Sequence, residues 1–384
     1  MRFNNPRRGD SGIVVRTVSA IVFLAFCALW LYCFQSDVLA VAQHTLSGGI
    51  THYDRTVGTV IITVALWLLQ LFVYKLVPLR NHLHALTYFP SMLSLALLGV
   101  VSGSRGVSPW WLLLPLLLLV VWAFVAWTLC RMLKYDNKVR AHLFSRCMWV
   151  NMVVMAFMIM GVAMVANTNA VYHYRAQMES QLAEQRLNDA LATGEKSLES
   201  DAGLTMLRAY ALSRRGELAD RLFQYPVVGS SADLVPATAD SRSRALRYPH
   251  DSIYAHLGAI PRPGMTTRRY LAALEHGHQA TAAVRDYVLC GLLIDRDLDG
   301  FARTISKYYE VSDSMSLPRH YREALVLYTH QRAHPHLVYH HAVTDEDYQN
   351  LQELEAKYAD PNERKIRVLE DYFGSYWYYF KYMK

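Results

Sequence analysis

Five stretches without a single Asp, Glu, Lys or Arg fall before residue 170: 17–36, 56–74, 83–101, 106–130 and 147–166. Crossing the hydrocarbon core of a bilayer takes about 20 mostly apolar residues. No soluble fold needs five such runs in succession, so the first half of the chain reads as a domain of five transmembrane helices over residues 1–169. The third run is the weakest, because it carries His84 and Pro90. A signal peptide is the competing reading of the first. Its long apolar region and the lack of a clear small-residue cleavage site favour an uncleaved span.

Charge separates the two halves. Residues 1–170 hold 13 Lys/Arg against 4 Asp/Glu, and residues 171–384 hold 26 against 28. The excess of basic charge therefore belongs to the apolar half. Nucleic-acid binding needs a basic face on a soluble domain and is disfavoured. With the N-terminus in the cytoplasm, the inner segments carry Arg2, Arg7, Arg8, Arg16, Lys75, Arg80, Arg131, Lys134, Lys138, Arg140 and Arg146. The outer loops carry only Arg55 and Arg105. This positive-inside bias puts residues 170–384 outside the cytoplasm and Trp110 and Trp111 at the outer interface.

Within the spans, Gln70 and Asn151 are polar but uncharged and read as interhelical hydrogen-bonding groups. A charged residue at mid-span would suggest ion or proton coupling, and there is none. The "SGSRG" of 102–106 reads as a turn, and the six methionines of the fifth span as adaptable packing.

The second half reads as a run of helices, because apolar residues recur at three- and four-residue steps. Helices are expected over about 170–193 (a polar-faced continuation of the fifth span), 202–216, 217–226, 252–260, 266–277, 279–297, 298–309, 317–331, 345–358 and 361–383. The Ser/Pro/Ala-rich segment 226–250 reads as a long surface loop. Caps support the last two helices: Thr344 before "DEDY", and Asp360-Pro361-Asn362-Glu363. Helix pairs with small residues at their crossings suggest a tetratricopeptide-like α-solenoid without a strict repeat length. The fold class is therefore all-α.

The segments "LTMLRAYALSRRGELADRLFQYP", "SIYAHLGAI" and the terminal "FGSYWYYFKY" together resemble an uncharacterised family of multi-spanning Bacteroidales membrane proteins. The resemblance covers most of 200–384. It implies membrane helices ahead of a tetratricopeptide-like region that ends in a Tyr/Trp-rich tail, in the inner membrane.

Two clusters invite a metal reading. Asp295, Asp297 and Asp299 before Gly300 open like a calcium loop. Its ninth and twelfth positions are Arg303 and Ser306, which supply no bidentate acid, so a polar turn is the simpler reading. His336 and His340 are four apart, as on a zinc-binding helix, but Pro335 breaks the run and no acid or Cys lies within it. Cys290 is the one cysteine after residue 170 and reads as a buried packing residue. No catalytic triad, phosphate loop or nucleotide fingerprint is present, and no cofactor is expected.

The tail holds eight aromatic residues in its last fourteen. Ile366, Leu369, Phe373, Trp377 (or Tyr376) and Phe380 would form one face of a helix kinked at Gly374. The favoured reading is that this face closes the end of the helical domain; on the other, Tyr372, Tyr376, Trp377, Tyr378, Tyr379 and Tyr382 are candidates for contact with a partner or the membrane. The function expected is a membrane-anchored scaffold that binds a protein or peptide at the outer face of a bacterial inner membrane, in envelope assembly or secretion. The alternatives are a membrane-surface enzyme acting on lipid or glycan, with its acid or base from the Asp or His cluster, and a transporter subunit.

Overall fold

The computed structural model describes residues 10–77, 79, 81–101, 110–132, 145–312 and 317–383. Within them all regular structure is helical. The chain divides into two compact units, Met1–Asn169 and Ala170–Lys384. Several expectations lie outside the described residues: the 102–106 turn, the side chains of Trp110 and Trp111, and Arg2, Arg7, Arg8, Arg80, Arg105, Lys134, Lys138 and Arg140.

In the first unit, α1 (Asp10–Leu29) runs through a π-helical turn at Trp30–Gln35 into α2 (Ser36–Ser47). Then come α3 (Arg55–Leu76), α4 (Phe89–Val101), α5 (Trp110–Met132) and α6 (Arg146–Val165). Five helical segments are long and apolar enough to cross a membrane: Ile13–Ser47, Arg55–Leu76, Leu83–Val100, Leu113–Arg131 and Arg146–Val165. The first outlasts the expected 17–36, because "DVLAVAQH" continues the helical pattern past the π turn.

The third segment is the least hydropathic and the most buried, at 56% against 28% or less for the other four. Its composition follows from that position. A central helix can carry polar groups if its neighbours satisfy them. Gln70 Nε2 donates to Thr87 Oγ1 at 3.1 Å, Ser91 Oγ to the Leu66 carbonyl at 2.8 Å, and the Ala85 amide to Asn151 Oδ1 at 2.7 Å. Gln70 and Asn151 thus bond between helices, as the sequence suggested. By contrast α5 is almost wholly exposed along its length. It is tied inward by the Trp122 indole N–H, which donates to the Leu86 carbonyl at 2.9 Å.

The second unit opens with a departure from the sequence reading. The single helix expected over 170–193 is two, α7 (Ala170–Ala183) and α8 (Leu187–Ala192), separated by Gln185 at φ +59°. Nor does α7 continue the fifth span: α6 ends at Val165, and Ala166 is extended. The break lets Leu182 and Leu191 both bury against α9 (Ala202–Arg215). Asp201 caps α9 by accepting the Leu204 amide at 2.7 Å, and Gly216 ends it in the left-handed region. A short α10 (Leu218–Arg221) follows, with a 3₁₀ turn at Leu222–Gln224.

Segment 226–250 is not a surface loop. Val227, Leu234, Val235 and Tyr248 are buried, and a 3₁₀ turn at Ser231–Leu234 is closed by a Ser230/Asp233 capping box. Backbone without regular structure can be buried only if its N–H groups find acceptors. Glu179 of α7 supplies them. Its carboxylate, itself fully buried, accepts the amides of Leu246, Arg247 and Tyr248 at 2.7, 2.6 and 2.8 Å. Burial pushes its carboxyl above the ordinary range, and the three amides offset only part of that. Sequence patterning could not find this, because the acceptor lies 67 residues before its first donor.

The remaining helices are α11 (His250–Leu257), α12 (Thr267–His276), α13 (Ala283–Ile294), α14 (Leu298–Ile305), α15 (Arg319–Gln331), α16 (Ala342–Lys357), α17 (Pro361–Tyr372) and α18 (Tyr376–Tyr382). Helix α16 starts three residues before the expected 345, because His341, not Thr344, is its cap. The helix expected over 361–383 is broken into α17 and α18. Asp360 caps the first, as read from the sequence, and Ser375 caps the second.

Glu179→Gln is expected to cost about 3 kcal/mol, since one amide of the 246–248 segment would then face an N–H instead of an oxygen. The local readout is amide hydrogen exchange, which should speed up at Leu246, Arg247 and Tyr248. Unchanged exchange there would show that the carboxylate does not hold the segment.

Candidate functional site

Helix α15 is the hub of the second unit and packs against α10, α14, α16 and α18. Eight of its residues are buried: His320, Tyr321 and every position from Glu323 to Tyr328. Two of these are polar and lie one turn apart. Glu323 Oε2 accepts from His320 Nδ1 at 3.0 Å and from the Tyr376 amide at 2.7 Å, and Oε1 accepts from Arg319 Nε at 2.8 Å. The Phe223 amide donates to His320 Nε2 at 3.3 Å. A nitrogen that accepts carries no proton, so the proton of neutral His320 sits on Nδ1 and points at Glu323. The chain Phe223–His320–Glu323–Tyr376 therefore fastens the 222–224 turn and the aromatic tail to one buried helix.

The tail is core. Tyr376, Trp377, Tyr378 and Tyr379 are buried. The Trp377 indole N–H donates to the Glu323 carbonyl at 2.8 Å, and the Tyr376 and Tyr379 hydroxyls donate to the Leu293 and Ile294 carbonyls at 3.3 and 2.7 Å. Tyr372 and Tyr382 are half-buried; their hydroxyls reach the Asp347 carbonyl and the Glu355 carboxylate. Each of the six candidate contact residues thus packs or bonds within the second unit. The expected single apolar face does not form. Gly374, at φ +92°, turns the chain between α17 and α18, and a Cβ there would come within 3.3 Å of Gln224 Cα. The turn leaves Ile366 exposed and buries Val368 in its place.

Beside this network a cleft of about 780 Å³ opens between α15, α16 and the α17–α18 turn. Arg319, Arg322 and Glu323 line it from α15, and His341, Thr344, Asp347 and Asn350 from the start of α16. Asp371, Tyr372 and Trp377 close the third side. The walls carry both signs of charge, together with hydroxyl and amide groups. Sequence reasoning missed this site. Its available signal was Arg319 and Arg322 at helical spacing ahead of an otherwise apolar helix.

The clusters singled out from the sequence lie elsewhere, and each carboxylate among them has a donor within the fold. Asp295 accepts from the Ser231 amide at 2.9 Å and from the Ser231 hydroxyl. Asp297 caps α14 through the Gly300 amide at 2.8 Å. Asp299 pairs with Arg332 at 2.6 Å, which holds its carboxyl below the ordinary range. His336 and His340 are exposed in irregular chain between α15 and α16, so they share no helix face. His340 pairs with Asp345 at 3.5 Å. The two clusters lie close together: Asp299 pairs with Arg332 and also feels the charge of His336. No group of three or more His, Cys, Asp or Glu among the described residues is arranged to hold a metal ion. Cys290 is buried beside the Tyr321 hydroxyl, and burial pushes its thiol up.

Residues 264–383 match a family model described as a family of unknown function (DUF6057). Every residue that lines the cleft falls inside this span. No curated protein and no solved structure matches the chain.

Burial pushes the Glu323 carboxyl up, but His320, Arg319 and the Tyr376 amide outweigh it and hold the group below its ordinary 4.5. A carboxyl depressed on folding gives stability that is complete above the unfolded value and lost as pH falls through the folded one. The tail should therefore stay docked above pH 4.5 and loosen below it. With 5-fluorotryptophan in the full chain, the Trp377 resonance (assigned by its loss in Trp377→Phe) should shift on acidification, and Glu323→Gln should shift it already at pH 7. A Trp377 resonance in Glu323→Gln identical to that of wild type at pH 7 would remove Glu323 as the anchor. Separately, Asp297→Ala should cost about 1 kcal/mol through its lost cap, and calcium should leave the melting temperature unchanged. A saturable calcium stabilisation abolished by that substitution would restore the metal reading.

Proposed function

We propose that the chain is a membrane-anchored binding protein, in which the five apolar helices lie in a bilayer and the cleft of the second unit holds a segment of a polypeptide partner. The cleft carries this reading. It is large and open, and its walls offer both signs of charge beside Tyr372 and Trp377, groups that could meet a peptide's backbone and side chains. The tail supports the reading indirectly, since its aromatic residues are spent in building one wall. Helical-repeat domains commonly present such surfaces, and the second unit is read here as a tetratricopeptide-like α-solenoid of the Bacteroidales type. For the anchor, Leu113, Leu116, Leu117, Val120, Val121 and Phe124 of α5 are exposed, which suits contact with lipid and not with water. The positive-inside bias places the N-terminus in the cytoplasm and the second unit in the periplasm of a bacterial inner membrane. Envelope assembly or secretion fits that position. The enzyme reading draws no support from the Asp cluster, whose carboxylates brace a turn, cap α14 and pair with Arg332.

A photoreactive residue at Val343, which is exposed and lines the cleft, should yield a polypeptide adduct of defined mass in intact cells. The same probe at exposed Ile260 should not. Adducts to lipid alone, or equal adducts from both positions, would sink the binding reading. Topology has its own test: alkaline phosphatase fused after Lys384 should be active, and an active cytoplasmic reporter at that point would invert the orientation.

A further inference from the structure

One corner of the cleft has donors and no acceptor. Arg322 is half-buried and makes no ion pair among the described residues, and its Nε is sealed from solvent without a partner. Arg319, one turn away, is already committed to Glu323. Arg322 meets His341, whose Nε2 lies 3.4 Å from Nη1. The tautomer of His341 decides what that contact is. His341 caps α16, and its Nδ1 accepts the Thr344 amide at 3.3 Å with the Thr344 hydroxyl 2.9 Å away. In the neutral ring the proton then sits on Nε2, so Nε2–H and the guanidinium N–H face each other as two donors. Asp347 and Asp371 line the same cleft, and neither pairs with Arg322.

From this corner we infer that Arg322 and His341 form a seat for a carboxylate. An oxyanion placed there accepts from the terminal nitrogens of Arg322 and from His341 Nε2, which resolves the opposition of donors. The planar guanidinium suits the two oxygens of a carboxylate side by side. The carboxylate would come from the bound polypeptide, as a C-terminus or an acidic side chain; only this source rests on the binding reading above. Asp347 and Asp371 would face basic groups of the same segment.

The test uses the full chain in detergent, with sodium acetate, phosphate or chloride at matched ionic strength. A ligand that binds only the folded state raises the melting temperature saturably. Acetate should raise it by about 3 °C over chloride in the wild type. Non-specific salting effects are common to all variants, so the comparison among them decides. Arg322→Gln should lose the acetate response, Arg322→Lys should weaken it, and Arg367→Gln, at an exposed pair with Glu370, should leave it intact. A readout without variants guards against misfolding: acetate should slow phenylglyoxal labelling of Arg322, mapped by mass spectrometry, and not that of Arg367. Acetate no better than chloride, an undiminished response in Arg322→Gln, or unprotected Arg322 would overturn the seat. Saturation by phosphate at far lower concentration than acetate would overturn the carboxylate assignment. Loss of the polypeptide adduct at Val343 with the acetate response intact would remove the polypeptide source and leave the seat standing.

Discussion

The second unit depends on one buried carboxylate. Glu323 is buried on the helix at the centre of the unit, and an ionised group there is tolerable only if donors surround it. Three donors meet this requirement directly, the His320 ring, the Arg319 guanidinium and the Tyr376 amide, and the Phe223 amide is joined to them through His320. None lies beside the others in sequence except Arg319 and His320. The turn after α10 and the last helix are therefore pinned to the same point on α15, and the aromatic rings fill the space between. Phe223 contacts His320, Tyr376 and Tyr379 with ring centroids 4.7–5.1 Å apart. Glu179 solves the same problem at the other end of the unit, where it makes an irregular segment as buried as a helix.

This anchor also decides where binding chemistry can exist. Because the tail returns to α15, its turn at Gly374 forms the third wall of the cleft. Because Arg319 is spent on Glu323, Arg322 is left as a cation without an ion pair among the described residues. An atom already engaged within the fold is not open to a ligand, as the carboxylates of Asp295 and Asp299 illustrate.

The first unit follows the same economy with weaker interactions. Its central segment has the least apolar sequence because Thr87, Ser91 and the Ala85 amide bond to neighbours instead of facing outward. Low hydropathy in the third run therefore marks its place in the bundle.

Much of the fold was legible in the sequence, because helices are written locally. The all-α class, the five apolar segments, the Asp360 cap, the end of α9 at Gly216 and the burial of Cys290 all follow from spacing and residue type within a few turns. Interhelical bonding by Gln70 and Asn151 was legible too, since a polar side chain among apolar residues needs a partner. What failed were statements about partners far apart in the chain: the burial of 226–250, the break at Gln185, the split of the tail, and the cleft. A carboxylate reads the same whether it faces water, a metal or a distant amide. Only the tertiary structure, by bringing Phe223, His320, Glu323 and Tyr376 to one point, decided that the tail is core and that Arg322 is the group left over.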